Sequence, residues 1–162
     1  MTTDGFTTCL WFDGQAEEAA HYYVSIFKNS SIGRVGRNVE GGAGPAGSVL
    51  AVEFTANGQK FVALNGGPQF KFNEAVSLIV YCDSQQEIDY FWEKLGAGGD
   101  PAAQACGWLK DKYGVSWQIV PIQAMEMWKS GVSAKSERAM KAMMQMKKLD
   151  IAALQKAYDG VA

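Results

Sequence analysis

The sequence has few of the residues that usually hold metals. Of its 162 residues, one is a histidine, His21, and three are cysteines, Cys9, Cys82 and Cys106, with no CxxC pair. Structural zinc sites take clustered cysteine and histidine ligands, so none is expected here. The N-terminal MTTDGFTT lacks the basic and hydrophobic regions of a secretory signal. The odd number of cysteines then favours reduced thiols in a cytoplasmic protein.

An excess of one charge and long hydrophobic runs are also missing. The chain has 15 basic and 17 acidic residues, a formal net charge of −2. It therefore offers no broad basic surface for nucleic acid and no polybasic patch for a membrane. No apolar run approaches the roughly 20 residues of a membrane-spanning helix. Apolar residues make up 48% and charged residues 20%, which is typical of a globular protein.

Two segments share the same order of elements. FTTCLWF predicts a strand over residues 6–12, and QAEEAAHYYVSIF has the apolar spacing of an amphipathic helix. AVSLIVYC predicts a strand over residues 75–82, and Ser84 with Glu87 has the spacing of a helix capping box. A shift of 69 residues superimposes the two segments, which indicates an internal repeat.

Strand-like segments follow each predicted helix. In the first half they lie at residues 32–39, 48–55 and 60–65, and in the second half just after Gly99 and at 104–110 and 115–120. The sequence therefore predicts an α+β protein built as a tandem β-α-β-β-β repeat. Its paired units form residues 1–122, at about 6–65 and 75–122, with a linker at 66–74.

Residues 123–162 are predicted to form a C-terminal helical appendage. Met140, Met143 and Met144 recur at helical spacing, and Asp150 is a plausible cap for a following helix. Because methionine is an adaptable filler of apolar gaps, this stripe favours a packing or subunit-contact face over a ligand site.

Three segments carry a resemblance to a known family: CLWFDGQAEEAAHYYVSIF, ALNGGPQFKFNEAVSL and CGWLKDKYGVSWQIVP. They resemble the PhnB-like branch, labelled 3-demethylubiquinone methyltransferase-like, of the vicinal oxygen chelate superfamily. That superfamily includes glyoxalase I, ring-cleaving dioxygenases and bleomycin-resistance proteins. The resemblance implies glyoxalase-like curved mixed sheets that enclose a cleft, and it implies a homodimer.

In this superfamily four side chains from the first and last strands of the two units bind a divalent metal. The resemblance puts these positions at Thr8, Val62, Ser77 and Gln118. Valine has no donor atom, and neutral hydroxyls are poor ligands for a divalent ion. Gln118 alone could coordinate, and one ligand is too few. We therefore expect a cleft without a metal, and we expect no other cofactor.

The methyltransferase label can be tested against the glycine-rich segment 41–47. A turn that binds S-adenosylmethionine usually joins a strand to a helix, whereas this segment lies between two predicted strands. A hairpin loop is the favoured interpretation.

Other reactive side chains are predicted to be structural. Along their predicted strands, Cys9 and Cys82 point to the face opposite to that of Thr8 and Ser77. Both cysteines are therefore expected to be buried against the helices. The charged run 110–112 leads into a turn at Gly114 and is expected to be solvated.

The favoured hypothesis is a protein that binds a small organic molecule in a metal-free cleft, with no assigned activity. The predicted cleft residues are Thr8, Phe12, Ser77, Tyr81, Trp108 and Gln118. The alternatives are a metal-dependent lyase or dioxygenase, a methyltransferase, and a structural dimer without a catalytic role.

Overall fold

The computed structural model describes residues 5–129 and 131–161. The chain divides into two compact units between Phe72 and Asn73. In each unit a strand leads into a helix and then into the remaining strands of one sheet. The predicted α+β class and its repeat are therefore confirmed, and so are the C-terminal helices.

The first unit contains a four-stranded sheet and one helix. Its elements are β1 (Thr8–Phe12), α1 (Ala16–Ile26), β2 (Ser31–Arg37), β3 (Val49–Ala56) and β4 (Gln59–Asn65). The strand order is β1-β4-β3-β2, with β1 parallel to β4 and the other pairs antiparallel. Asn57 and Gly58 both have positive φ, at 50° and 78°, which is the geometry of a tight hairpin turn.

Aromatic stacking joins α1 to its sheet. Tyr23 stacks on Phe54 with ring centroids 6.0 Å apart, and Phe54 stacks on Phe61 at 5.2 Å. The Oδ1 atom of Asn65 accepts a hydrogen bond from the Ala16 N–H at 2.9 Å. This bond satisfies one of the donors that the first turn of a helix leaves free.

The second unit contains a three-stranded sheet and four helices. Its elements are β5 (Ser77–Cys82), α2 (Gln85–Gly96), β6 (Trp108–Lys110), β7 (Ser116–Pro121), α3 (Ile122–Lys129), α4 (Ala134–Met143) and α5 (Ile151–Asp159). The strand order is β5-β7-β6, with β5 parallel and β6 antiparallel to β7.

The second unit departs from the predicted repeat after α2. The short strand expected after Gly99 is a 3-10 turn at Pro101–Ala103, where proline has no N–H for a sheet and Asp100 caps the Ala102 N–H at 2.8 Å. The strand predicted at 104–110 begins only at Trp108, because Cys106 has φ 51° and Gly107 has φ 85°.

The predicted shift of 69 residues is correct for the helices but wrong for the strands. The connection from β1 to α1 has three residues, 13–15, and that from β5 to α2 has two, 83–84. The strands therefore correspond at a shift of 70, and a one-residue change of register reverses the faces of a strand. Cys9 is exposed, contrary to expectation, whereas Cys82 is buried as expected.

The glycine-rich segment connects two antiparallel strands, β2 and β3. The Asn38 N–H donates to the Ser48 carbonyl at 2.9 Å, so the hydrogen-bonded pairing continues into the base of the loop. The hairpin interpretation is confirmed.

The expectation of a solvated charge run is wrong for Asp111. Its side chain is 2% exposed. One carboxylate oxygen accepts from the backbone N–H groups of Tyr113 at 2.9 Å and Val115 at 3.0 Å. The other accepts from the indole N–H of Trp117 at 2.8 Å. Asp111 thus fixes the turn between β6 and β7, while the adjacent Lys112 is exposed.

The three C-terminal helices bury a core cluster made of Ala124, Met127, Ala139, Leu149 and Leu154. Asp150 caps α5 by accepting from the Ala153 N–H at 2.8 Å, as predicted. Among the helices in the described ranges, none is long and apolar enough to cross a membrane.

Candidate functional site

One face of the second sheet is open and largely apolar. Along β5, Val80 and Cys82 are buried, whereas the alternate residues Ile79 and Tyr81 are 46% and 56% exposed. Ile79 and Tyr81 lie next to each other on the same face of β5, and contiguous exposed apolar surface marks interaction sites.

A groove of about 700 Å³ lies over this face, wholly within the second unit. Its floor is formed by sheet residues: Ile79, Tyr81, Trp108, Gln118 and Val120. Its helical wall is formed by residues of α3, α4 and the segment after α4: Met125, Trp128, Met143, Met144 and Leu149. A concave, mainly apolar surface with a small number of polar groups is the usual make-up of a small-molecule site.

Gln118 supplies the polar group on the floor. Its Nε2 donates to the Ser77 hydroxyl at 2.9 Å. A hydroxyl can accept or donate, so turning the amide over would keep this bond. In either orientation the amide retains one polar atom with no hydrogen-bond partner among the described residues. That atom can bind a donor or an acceptor of a ligand.

Glu74 is the charged residue that lines the groove. It forms an ion pair with Lys110, and the hydrogen bond from Lys110 is the main cause that lowers the pKa of the Glu74 carboxyl. The carboxylate is therefore ionised and paired at neutral pH, which makes it a poor general base.

Cys106 also lines the groove, with its Sγ 3.7 Å from the Sδ of Met144. A reactive thiol needs a neighbouring cation or base, and a thioether is neither. Burial raises the pKa of Cys82 to about 12, and partial desolvation of the Cys9 thiol raises the pKa of Cys9, although Cys9 as a residue is exposed. His21 is exposed on α1.

The structure brings together four of the six predicted cleft residues. Tyr81, Trp108 and Gln118 line the groove, and Ser77 is bonded to Gln118. Phe12 belongs to the first unit and is 3% exposed, with its ring edge-on to Phe72 at 5.3 Å. Thr8 lies on the same face of β1 as Phe12, because the two residues are four positions apart on one strand. Neither residue lines the groove. This corrects the expectation for Phe12, and its cause is the one-residue shift between the strands.

The four positions that the resemblance assigns to metal ligands do not fit a divalent ion. In the first unit the register places Cys9 next to Val62, so Thr8 points to the opposite side of the sheet. In the second unit Ser77 and Gln118 are bonded to each other and supply only neutral oxygen atoms. No group of three histidine, cysteine, aspartate or glutamate side chains suited to a metal occurs within residues 5–129 and 131–161.

Sequence reasoning missed the helical wall. Its methionines were predicted to be a packing or contact face, and Met143 does pack against the helical core. Met144, however, is 59% exposed and lines the groove. The helical spacing of the methionines could be read from the sequence. Their position beside the open face of the second sheet could not.

Comparisons with known proteins agree with this fold. The family model described as 3-demethylubiquinone-9 3-methyltransferase matches residues 4–120. A structure from Bacillus cereus, described as "Putative 3-demethylubiquinone-9 3-methyltransferase, PhnB protein", is 40% identical, with a TM-score of 0.63 over 73% of this chain and 99% of that one. Protein PA1353 from Pseudomonas aeruginosa is 18% identical, with a TM-score of 0.56 over 72% and 96% of the two chains.

A further match is a structure described as a "possible Glyoxalase" from Bacillus cereus, with 11% identity and a TM-score of 0.43 over 71% of this chain and 97% of that one. A comparison with curated proteins found no match.

The repeated strand-helix units and the Bacillus cereus match define an α+β protein with the fold of that PhnB relative. Within that class, the chain belongs to the family described as 3-demethylubiquinone-9 3-methyltransferase, the PhnB-like family. The resemblance predicted from the sequence is confirmed.

Proposed function

We propose that this protein binds a small, uncharged organic molecule in the groove of the second unit, without a metal. The observation that carries the proposal is the exposed apolar floor around one amide, Gln118, with a helical wall beside it. Desolvation of the floor by an apolar ligand is favourable, while Gln118 can fix the orientation of that ligand.

The groove supports binding better than acid-base or nucleophilic catalysis. Its carboxylate, Glu74, is paired with Lys110, and its thiol, Cys106, lies beside a thioether. Efficient general acid-base groups have a pKa near the working pH and reach the reacting atom. The hydrogen bond from Lys110 lowers the pKa of Glu74 further below neutrality, so this carboxylate is a poor general acid or base.

The two enzyme alternatives have less support in the described residues. The family description names a methyltransferase, yet the glycine-rich segment closes a hairpin between β2 and β3. A methyl donor would have to bind elsewhere. A metal-dependent lyase or dioxygenase would need donor atoms that Val62 lacks and that Ser77 and Gln118 supply only as neutral oxygens.

A neutral fluorescent probe, N-phenyl-1-naphthylamine, tests the proposal. We expect the wild-type protein to enhance its fluorescence in a saturable titration. Ile79→Glu should raise the dissociation constant at least about tenfold, because the probe would then have to desolvate a carboxylate on the floor.

The matched control is Val76→Glu, since Val76 is also exposed but does not line the groove. This variant should bind like the wild type. Absence of saturable binding to the wild type, or equal binding by Ile79→Glu, would show that the groove is not the binding site.

We also propose a homodimer located in the cytoplasm. The resemblance implies the dimer, and the outer strands β2 and β6 leave sheet edges that a second copy could cover. Sedimentation equilibrium at micromolar concentration should give twice the mass of the chain. A monomer mass would contradict the dimer, and recovery in the membrane fraction of lysed cells would contradict the location.

A further inference from the structure

The helical wall of the groove lies outside the part of the chain that the family model matches. The family model matches residues 4–120, whereas α3 begins at Ile122. The Bacillus cereus relative is matched over 99% of its own length but over only 73% of this chain. That relative therefore has no counterpart for about a quarter of this chain.

Backbone hydrogen bonds fix the wall to the second sheet. The N–H groups of Cys106 and Gly107 donate to the carbonyls of Met146 and Lys147, both at 2.8 Å. These bonds hold the segment after α4 beside the start of β6. The position of Met144 over the groove is thus set by the folded backbone.

The same segment is also tied to α2. The Gln85 side chain donates to the Leu149 carbonyl at 3.1 Å and accepts from the Ile151 N–H at 3.0 Å. Lys148 forms an ion pair with Asp89 at 2.5 Å. The wall is therefore an integral part of the second unit.

The wall and the floor present complementary surfaces to a ligand. Met125 and Met144 remain exposed at the groove, and the Cys106 thiol lies next to Met144. The floor of the same groove contributes the rings of Tyr81 and Trp108. Thioethers and aromatic rings both interact favourably with an aromatic ring, through sulfur–aromatic contacts and through stacking.

We infer that the helical wall selects a neutral, planar aromatic ligand, held between the methionines of the wall and the rings of the floor. A hydroxyl or carbonyl substituent of the ligand would bind Gln118. This inference rests on the proposed binding in the groove. The selectivity would distinguish this chain from the Bacillus cereus relative, which is matched over 99% of its own length but over only 73% of this chain.

The test compares two alcohols of the same skeleton, 2-naphthol and its saturated analogue decahydro-2-naphthol, at pH 7. Each is used to displace N-phenyl-1-naphthylamine from the wild-type protein. We expect 2-naphthol to displace the probe at a concentration at least about tenfold lower. Both alcohols offer Gln118 the same hydroxyl, so the difference reports the recognition of the ring.

The variant Met125→Ala with Met144→Ala tests the wall itself. It should lower the preference for 2-naphthol at least about threefold, because the flat ring loses its sulfur contacts while the hydroxyl keeps its partner. The control is Met140→Ala on α4, since Met140 is 40% exposed but does not line the groove. This control should retain the full preference.

The outcomes separate the two proposals. If the wild type does not bind N-phenyl-1-naphthylamine, the proposed function fails. If it binds the probe but does not distinguish the alcohols, or if the double variant keeps the full preference, only the aromatic selectivity of the wall is overturned. Far-ultraviolet circular dichroism of each variant shows that the fold is retained, as expected for substitutions at exposed positions.

Discussion

The Asp111 carboxylate shows how one buried acid can set the geometry beside the groove. Burying an isolated charge is costly, so buried acids need hydrogen-bond donors. Asp111 accepts hydrogen bonds from two backbone N–H groups of its turn and from the Trp117 indole. Trp117 precedes Gln118 on β7. The turn and the floor of the groove are therefore fixed by the same side chain.

Replacing Asp111 by asparagine should destabilise the protein by about 2–4 kcal/mol. The amide has a single acceptor oxygen, and its NH₂ group would face one of the present donors. Urea denaturation followed by tryptophan fluorescence measures the change. Asp13→Asn at an exposed position is the control and should change the free energy of unfolding by less than about 0.5 kcal/mol. A similar effect of both substitutions would contradict this role of Asp111.

At the scale of elements, the length of one turn decides which residues face outward. Gly14 has φ 89° in the connection from β1 to α1, a region that glycine enters without strain. The matching connection before α2 is one residue shorter. As a result, Phe12 is buried while Tyr81 is exposed. The two units share an order of elements, yet equivalent sequence positions do not share a face.

The attachment of the C-terminal helices to α2 gives a prediction at the same scale. Gln85→Ala removes two hydrogen bonds to the segment that leads into α5. We expect a loss of about 1–3 kcal/mol of stability, since a typical bond contributes about 0.5–1.5 kcal/mol. Amide exchange of Ile151 should also become faster, because its N–H loses the acceptor.

The neighbouring Gln86 provides the control. It is exposed on the same turn of α2, so Gln86→Ala should leave both the urea midpoint and the exchange of Ile151 nearly unchanged. Equal effects of the two substitutions would mean that the Gln85 bonds do not hold the helices in place.

At the scale of the whole molecule, the part of the chain that the family model matches and the helical segment after it contribute different parts of the candidate site. The core matched by the family model contains the floor of the groove, including Gln118, and the helices after it contain the wall. A fold shared with relatives does not by itself define a ligand. The proposed site therefore takes its lining side chains from both parts.

Much of this could be predicted from the sequence because it depends on short-range patterns. Period-two and helical spacing identified the strands and helices, and the repeat identified equivalent strands. On β5 and β7 the strand parity was assigned correctly, so Tyr81 and Gln118 were expected on the open face. The predictions for Cys9 and Phe12 failed because the connection from β1 to α1 has one residue more than the connection from β5 to α2. A single shift of 69 residues, applied to strand and helix together, could not show this extra residue.

The amino-acid sequence alone was enough to predict the α+β class, the repeated units, the helical C-terminus and the neutral side chains at the positions that the resemblance assigns to metal ligands. These follow from periodicity and residue chemistry, which act over a few neighbouring residues. Only the tertiary structure decided that Asp111 is buried and that Met144 lies beside Cys106, 38 residues earlier in the chain. Contacts between residues far apart in the chain depend on how the helices and strands pack in three dimensions. Patterns among neighbouring residues do not determine that packing.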